Sequence, residues 1–287
     1  MDNVSKWFLC DNRVMLTIAK TDSIVNKAIK IHNLTITTAA VLGRMLTMGT
    51  LMGVKLKNES NNITAYLEGD GPVGKVMFVA KNDGKIKGYI QNPEVDLMPN
   101  ANKKIDVGGA VGKGKLRVIM DVGMGAPYAG EVELVSGEIA EDFAKYYASS
   151  LQQPCAVALG VLMSPKNKCL SAGGVLIEMM PDATENDIVM MENITSKLSD
   201  FSKIIKELSC DEIVERFFKE GNPQKYEELT PEYKCNCSTL KMKKSLQSLK
   251  MNDIEDLFEK QQEVEVVCHF CGKKHKFKRE DIIKKKA

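Results

Sequence analysis

The chain has 287 residues, 44% of them hydrophobic, and a formal net charge of +2. That length suits two domains, that composition excludes global disorder, and no apolar run is long enough to span a bilayer. The opening Met1-Asp2-Asn3-Val4-Ser5-Lys6 lacks the basic stretch, apolar core and cleavage site of a signal peptide, so a cytoplasmic protein with reduced thiols is expected.

Residues 13–21 alternate loosely and predict a strand, after which Asp22 can cap a helix to about Ile31, with His32 closing it. Residues 35–57 carry Ala39, Ala40, Leu42, Met45, Leu46, Met48 and Met52 on a broad apolar face and predict a buried helix. Its methionines are read as core filling rather than as a soft binding surface. The period then changes to that of short strands at 63–67, 75–80, 85–90, 115–121 and 131–135, separated by Gly, Asn and Asp turns. A helix starts at Ser136 or Gly137, with Ile139, Phe143, Tyr146 and Tyr147 on one stripe. Strand character returns at 155–163 and 171–179 and ends at Pro181. Residues 1–180 are therefore predicted to form an α+β substrate-binding core domain, a mainly antiparallel sheet with helices packed against it.

After Pro181 the composition shifts. Residues 181–234 predict an amphipathic helical linker, with Ile188, Ile194, Leu198, Phe201, Ile205, Ile213, Val214 and Phe218 among its apolar positions. Such a stretch needs a surface to lie on, and Gly221, Pro223 and Pro231 break its end. Residues 235–287 predict a small C-terminal zinc-binding domain. There Ser238 caps a helix to Leu249, Asn252 caps another over 253–260, and strands at 263–267 and 276–278 flank a turn. This tail holds 13 Lys and Arg against 8 Asp and Glu, whereas the rest holds 27 against 30. A solvated helix surface and the charged end Lys284-Lys285-Lys286 account for that excess more simply than a nucleic-acid contact does.

Half of the eight cysteines sit in the tail, as Cys235-Asn236-Cys237 and Cys268-His269-Phe270-Cys271, while Cys10, Cys155, Cys169 and Cys210 are scattered singly. A C-x-C pair followed by a C-x-x-C pair can supply four thiolates to one tetrahedral zinc, so Cys235, Cys237, Cys268 and Cys271 are the predicted ligands. His269 and His275 are close enough in sequence to replace a thiolate, but four cysteines make them unnecessary. Gly69-Asp70-Gly71-Pro72-Val73-Gly74 matches the dinucleotide string G-x-G-x-x-G. That motif must lead into a helix, whereas Lys75-Val76-Met77-Phe78-Val79 reads as a second strand, so a hairpin turn is predicted. Gly112-Lys113-Gly114 and Gly123-Met124-Gly125 are likewise turns. With no Walker loop and no G-x-S-x-G, a binding protein is expected rather than an enzyme. A zinc ribbon acting on nucleic acid and a thiol–disulfide oxidoreductase are the competing classes.

Taken in order, these segments resemble one family, the redox-regulated holdase chaperones called heat shock protein 33. The resemblance runs through Gly43-Arg44-Met45-Leu46, Gly69-Asp70-Gly71-Pro72 with Gly74, Lys87-Gly88-Tyr89 and Val111-Gly112-Lys113-Gly114. It continues with Tyr128-Ala129-Gly130, Ala172-Gly173-Gly174 and Met180-Pro181, and ends in the two cysteine pairs. This chain departs from the family pattern at Ser238-Thr239-Leu240-Lys241-Met242 and at Ser150-Leu151-Gln152. The resemblance implies one zinc per reduced chain, and oxidation that pairs Cys235 with Cys237 and Cys268 with Cys271. It further implies ATP-independent binding of unfolded or partly folded client proteins during oxidative stress, and a homodimer when oxidised. The very short C-x-C ring is expected to be strained and readily reduced. Neither a membrane nor nucleic acid is an expected partner.

Overall fold

Two sheets share one buried helix. The computed structural model describes residues 1–123, 125–259 and 261–283. Met124 of the Gly123 turn, Lys260 at the end of a predicted helix and the basic end Lys284-Lys285-Lys286 lie outside the described residues. Contacts divide the chain into two units, Met1–Tyr233 and Lys234–Ala287.

The first unit runs β1 (Asn3–Leu9), β2 (Val14–Lys20), α1 (Asp22–His32), α2 (Ile36–Gly53), β3 (Asn62–Gly69), β4 (Lys75–Lys81) and β5 (Lys85–Ile90). It continues with α3 (Val107–Val111), β6 (Gly114–Asp121), β7 (Tyr128–Glu133), α4 (Ala140–Tyr146), β8 (Cys155–Met163) and β9 (Cys169–Met179). Last come α5 (Glu185–Ser196), α6 (Phe201–Glu207), α7 (Cys210–Phe217), β10 (Gln224–Leu229) and β11 (Glu232–Tyr233). One sheet has the order β10-β1-β2-β9-β8 and the other β11-β5-β4-β3-β6-β7. Every pairing in them is antiparallel except that of β11 with β5.

The helix α2 packs on strands of both sheets. A helix can be buried all round only if its surface is apolar all round, and the segment from Ile36 to Gly53 carries a single charge, Arg44. The Arg44 guanidinium donates from Nη1 to the Glu138 carbonyl and carboxylate at 3.0 and 2.5 Å. Thr35 starts the helix, because its hydroxyl accepts from the Thr38 N–H while the Thr35 N–H donates back to Thr38 Oγ1. Met45, Met48 and Met52 are all buried, as core-filling residues should be. The segment Gly69 to Gly74 is a hairpin turn joining antiparallel β3 and β4, and Asp70 fixes it by accepting from the Lys113 N–H at 2.7 Å.

The stretch after Pro181 lies against the β10-β1-β2-β9-β8 sheet. Met191, Ile194, Leu198, Phe201, Ile205, Ile213, Val214 and Phe218 are buried in one cluster with Leu16, Ile18, Val175 and Ile177 of the sheet. Charge reinforces the fit. Arg13 donates from Nε and Nη2 to the two carboxylate oxygens of Asp187 at 2.8 and 3.2 Å, and Thr184 donates to the same carboxylate while capping α5. Both ends of the stretch are pinned to the β1–β2 turn. The Met180 N–H donates to the Arg13 carbonyl, and the Cys10 N–H donates to the Gly221 carbonyl.

The structure departs from the predicted elements in several places. Helix extends only to Phe217 of the predicted linker, after which one 3₁₀ turn gives way to β10 and β11. Sequence assigns no element to residues 3–9, which form β1 between β2 and β10. The strand expected at 131–135 runs from Tyr128 to Glu133, and the helix expected from Ser136 or Gly137 starts at Ala140.

In the second unit α8 (Thr239–Gln247), α9 (Met251–Glu259), β12 (Glu263–Val267), β13 (Lys274–Lys278) and α10 (Arg279–Ile282) follow the first cysteine pair. Strands β12 and β13 form an antiparallel hairpin, and α10 is one turn that sequence did not suggest. Among the described residues its apolar cluster buries Ile254, Phe277 and Ile282, with Met242, Leu246, Phe258, Val266 and Ile283 packed partly buried against them.

Candidate metal centre

The four tail cysteines meet at one point. Cys235 and Cys237 lie in extended chain just before α8, whose first turn is capped by the Ser238 hydroxyl accepting from the Lys241 N–H. Lys241 also donates from Nζ to the Asn236 carbonyl, which braces the peptide between the two cysteines. Cys268 and Cys271 occupy the turn of the β12–β13 hairpin. That turn closes through the Gly272 N–H donating to the Cys268 carbonyl and the Cys268 N–H donating to the Lys273 carbonyl. Gly272 has φ of +69°, a left-handed conformation that glycine adopts without strain.

All four sulfurs lie within 4.8 Å of one another. Cys235 Sγ is 3.7 Å from Cys268 Sγ, and Cys237 Sγ is 3.4 Å from Cys271 Sγ. A tetrahedral centre with metal–sulfur bonds of about 2.3 Å has sulfur–sulfur edges of about 3.8 Å, so the donor set fits a four-thiolate metal ion. A disulfide needs about 2.05 Å, and all eight cysteines are free.

Electrostatics point the same way. Burial opposes ionisation of Cys268, but the Phe270 N–H and the thiols of Cys235, Cys271 and Cys237 outweigh it and lower its pKa. Burial, with hydrogen bonding shared among the sulfurs, raises Cys235 and pushes Cys237 up to about 12. A bound divalent cation would favour the thiolate form of all four. Lys274, one of the cations near the centre, is paired with Glu265 across the hairpin at 2.8 Å.

The remaining cysteines stay apart from this centre. Burial raises Cys10 to about 11, helped by hydrogen bonding to Asp187, and pushes Cys155, Cys169 and Cys210 up to about 12. Thiols so firmly protonated are poor nucleophiles. Neither histidine joins the four sulfurs: His269 is exposed, and His275 is buried with Nδ1 3.2 Å from Thr239 Oγ1. Sequence reasoning did not find this Thr239–His275 bridge between the two cysteine segments. Nor did it find the Arg13–Asp187 pair, whose partners lie 174 positions apart.

Fold and site define a two-unit α+β protein whose smaller unit is built around four convergent thiols able to hold a metal ion. The family model described as "Hsp33 protein" matches residues 2–278, and the chain belongs to that chaperone family. It is 41% identical to the 33 kDa chaperonin of Clostridium novyi (strain NT), over 98% of this chain and 96% of the relative. It is 42% identical to the 33 kDa chaperonin of Clostridium perfringens (strain SM101 / Type A), over 95% and 87% respectively. Among solved structures it is similar to the 33 kDa chaperonin (heat shock protein 33 homolog) of Thermotoga maritima. That match has a TM-score of 0.88 at 32% identity, covering 98% of this chain and 96% of that one. No helix among the described residues is long and apolar enough to cross a membrane.

Proposed function

We propose that the protein is a redox-regulated, ATP-independent holdase of the cytoplasm, which binds unfolding proteins after its tail cysteines are oxidised. The convergence of four sulfurs from two distant segments carries this reading. In the reduced state Cys235, Cys237, Cys268 and Cys271 bind one zinc ion as thiolates. Zinc, when bound, supplies a cross-link between the segment before α8 and the β12–β13 turn, and keeps the sulfurs deprotonated and open to peroxide.

Oxidation pairs Cys235 with Cys237 and Cys268 with Cys271. Each new disulfide takes one electron pair from two thiolates and passes it to one peroxide, which breaks its O–O bond and leaves as two hydroxide ions. Both bridges are local, so they consume every ligand without replacing the long-range cross-link. A unit with so small a buried apolar cluster among its described residues then loses its order. Loss of that order frees the stretch 181–234, and the apolar face beneath α5, α6 and α7 becomes available to clients. The oxidised form is expected to be a homodimer, acting as a binder and not as a catalyst.

The test follows aggregation of a heated unrelated protein while zinc release is measured, before and after peroxide. Zinc release with a gain in protection, both reversed by dithiothreitol, supports the reading. Zinc release without that gain defeats it and leaves a structural zinc module, for which salt-dependent nucleic-acid binding is the next measurement.

A further inference from the structure

A sheet edge left bare is a template for another chain, and proteins ordinarily blunt it with charge, proline or brevity. The two sheets of the first unit end in four edge strands. Strand β7 is six residues long and carries Glu131 and Glu133. Strand β10 carries Lys225, Glu227 and Glu228. Strand β11 is two residues long. Strand β8 differs from all three. It reads Cys-Ala-Val-Ala-Leu-Gly-Val-Leu-Met over nine residues, with no charge and no proline inside it. It pairs only with β9, and among the described residues its outer backbone groups make no hydrogen bond. Residues 155–159 are all half-buried rather than covered.

The two faces of β8 are unlike. Cys155, Val157, Leu159 and Met163 pack on the main core, whereas Ala156 and Ala158 pack on the cluster formed with α5, α6 and α7. Gly160 continues that second row directly beneath α6, where an added Cβ would stand 2.4 Å from the Ser202 nitrogen. Ala156, Ala158 and Gly160 thus line a shallow trough of small residues, roofed by helices of the stretch after Pro181 and bordered by the open edge.

We propose that β8 is a strand-addition site for an extended apolar segment of an unfolding protein. The segment's backbone completes the outer ladder of β8, and every second side chain drops into the space that α6 leaves when it lifts. The inference rests on the holdase reading above. Main-chain pairing supplies affinity without demanding a sequence, and an uncharged trough selects apolar side chains. Together they suit a partner defined only by being extended and apolar.

The probe is a short peptide alternating valine and threonine, with the same peptide N-methylated along its length as the control. Both are offered to the full-length protein oxidised with peroxide, and hydrogen exchange of the 155–163 amides is followed with and without peptide. The expected result is slowed exchange in β8 and at least about tenfold weaker binding of the control, since several backbone bonds are lost together. Equal binding of the two peptides, or slowed exchange elsewhere with β8 unchanged, overturns the site. Slowed exchange in β8 that rises with protein concentration and needs no peptide overturns the client in favour of a second copy of this chain. The same sample is assayed for suppression of aggregation. Suppression with β8 unaffected sinks the site alone, whereas neither suppression nor peptide binding sinks the holdase reading and the site with it.

Discussion

The two units of this chain are stabilised by different physics. In Met1–Tyr233 two sheets close on α2, and large side chains such as Phe78, Phe143, Tyr146 and Tyr147 are wholly inside. Among the described residues of the smaller unit few apolar side chains are buried, Ile254, Val264, Phe277 and Ile282 among them, and four sulfurs converge instead. Fully burying an apolar side chain brings about 1.5–3 kcal/mol, whereas a structural zinc site brings about 10–16 kcal/mol. Stability of the larger unit is therefore spread over many residues. With the proposed zinc bound, that of the smaller would be concentrated in one bond cluster.

The largest expected effect comes from breaking that asymmetry at the sulfurs. Cys268→Ser, or a chelator under reducing conditions, should abolish amide protection in α8, β12 and β13 while leaving β2 and β9 protected. Hydrogen exchange resolved by segment decides it, and equal loss in both units would refute a metal-held tail. Next comes the helical stretch. Phe218 is fully buried against the sheet, and Phe218→Ala should cost about 3–5 kcal/mol. Limited proteolysis of the reduced variant should cut within α5 to α7 sooner than in the parent, with aggregation suppressed before any oxidant is added.

A pH dependence sharpens the comparison. The Arg13 guanidinium and then the Thr184 hydroxyl and N–H hold the Asp187 carboxyl well below the ordinary carboxylate range. A depressed folded-state pKa stabilises above the unfolded value of about 3.9, and that contribution fades as pH falls from there through the folded value. Protection of the α5 amides should thus weaken on acidification below about pH 4, and Asp187→Asn should remove this dependence. An unchanged acid profile in that variant would show that Asp187 does not set it. The smallest effect is local. Ser238→Ala removes the cap of α8 and should cost about 1 kcal/mol, read as a modest fall in the zinc-loaded tail's melting point with no change in the larger unit.

The centre was legible because thiolate chemistry needs its residues in pairs, and Cys235 with Cys237 and Cys268 with Cys271 announce themselves. The helix α2 and the Gly69 hairpin were legible because each carries its own pattern. Strand β10 was not: Gln-Lys-Tyr-Glu-Glu-Leu has no apolar alternation and is a strand only because β1 offers it a ladder. Strand β1 is hidden for a related reason, since Trp7, Phe8 and Leu9 run together and show no period of 2. Arg13 and Asp187 were invisible for lack of any local sign that residues so far apart would meet.

The hydrogen bonds from Met180 to Arg13 and from Cys10 to Gly221 fasten both ends of the helical stretch to one turn. The helical stretch therefore begins and ends at a single place. If its helices lift as proposed, their ends need not separate, so the opened segment would remain a closed loop tethered above the surface it covered. Reclosure is then an intramolecular event at high effective concentration, with little loop entropy left to lose. On the holdase reading proposed above, a bound client would compete with a cover that never diffuses away.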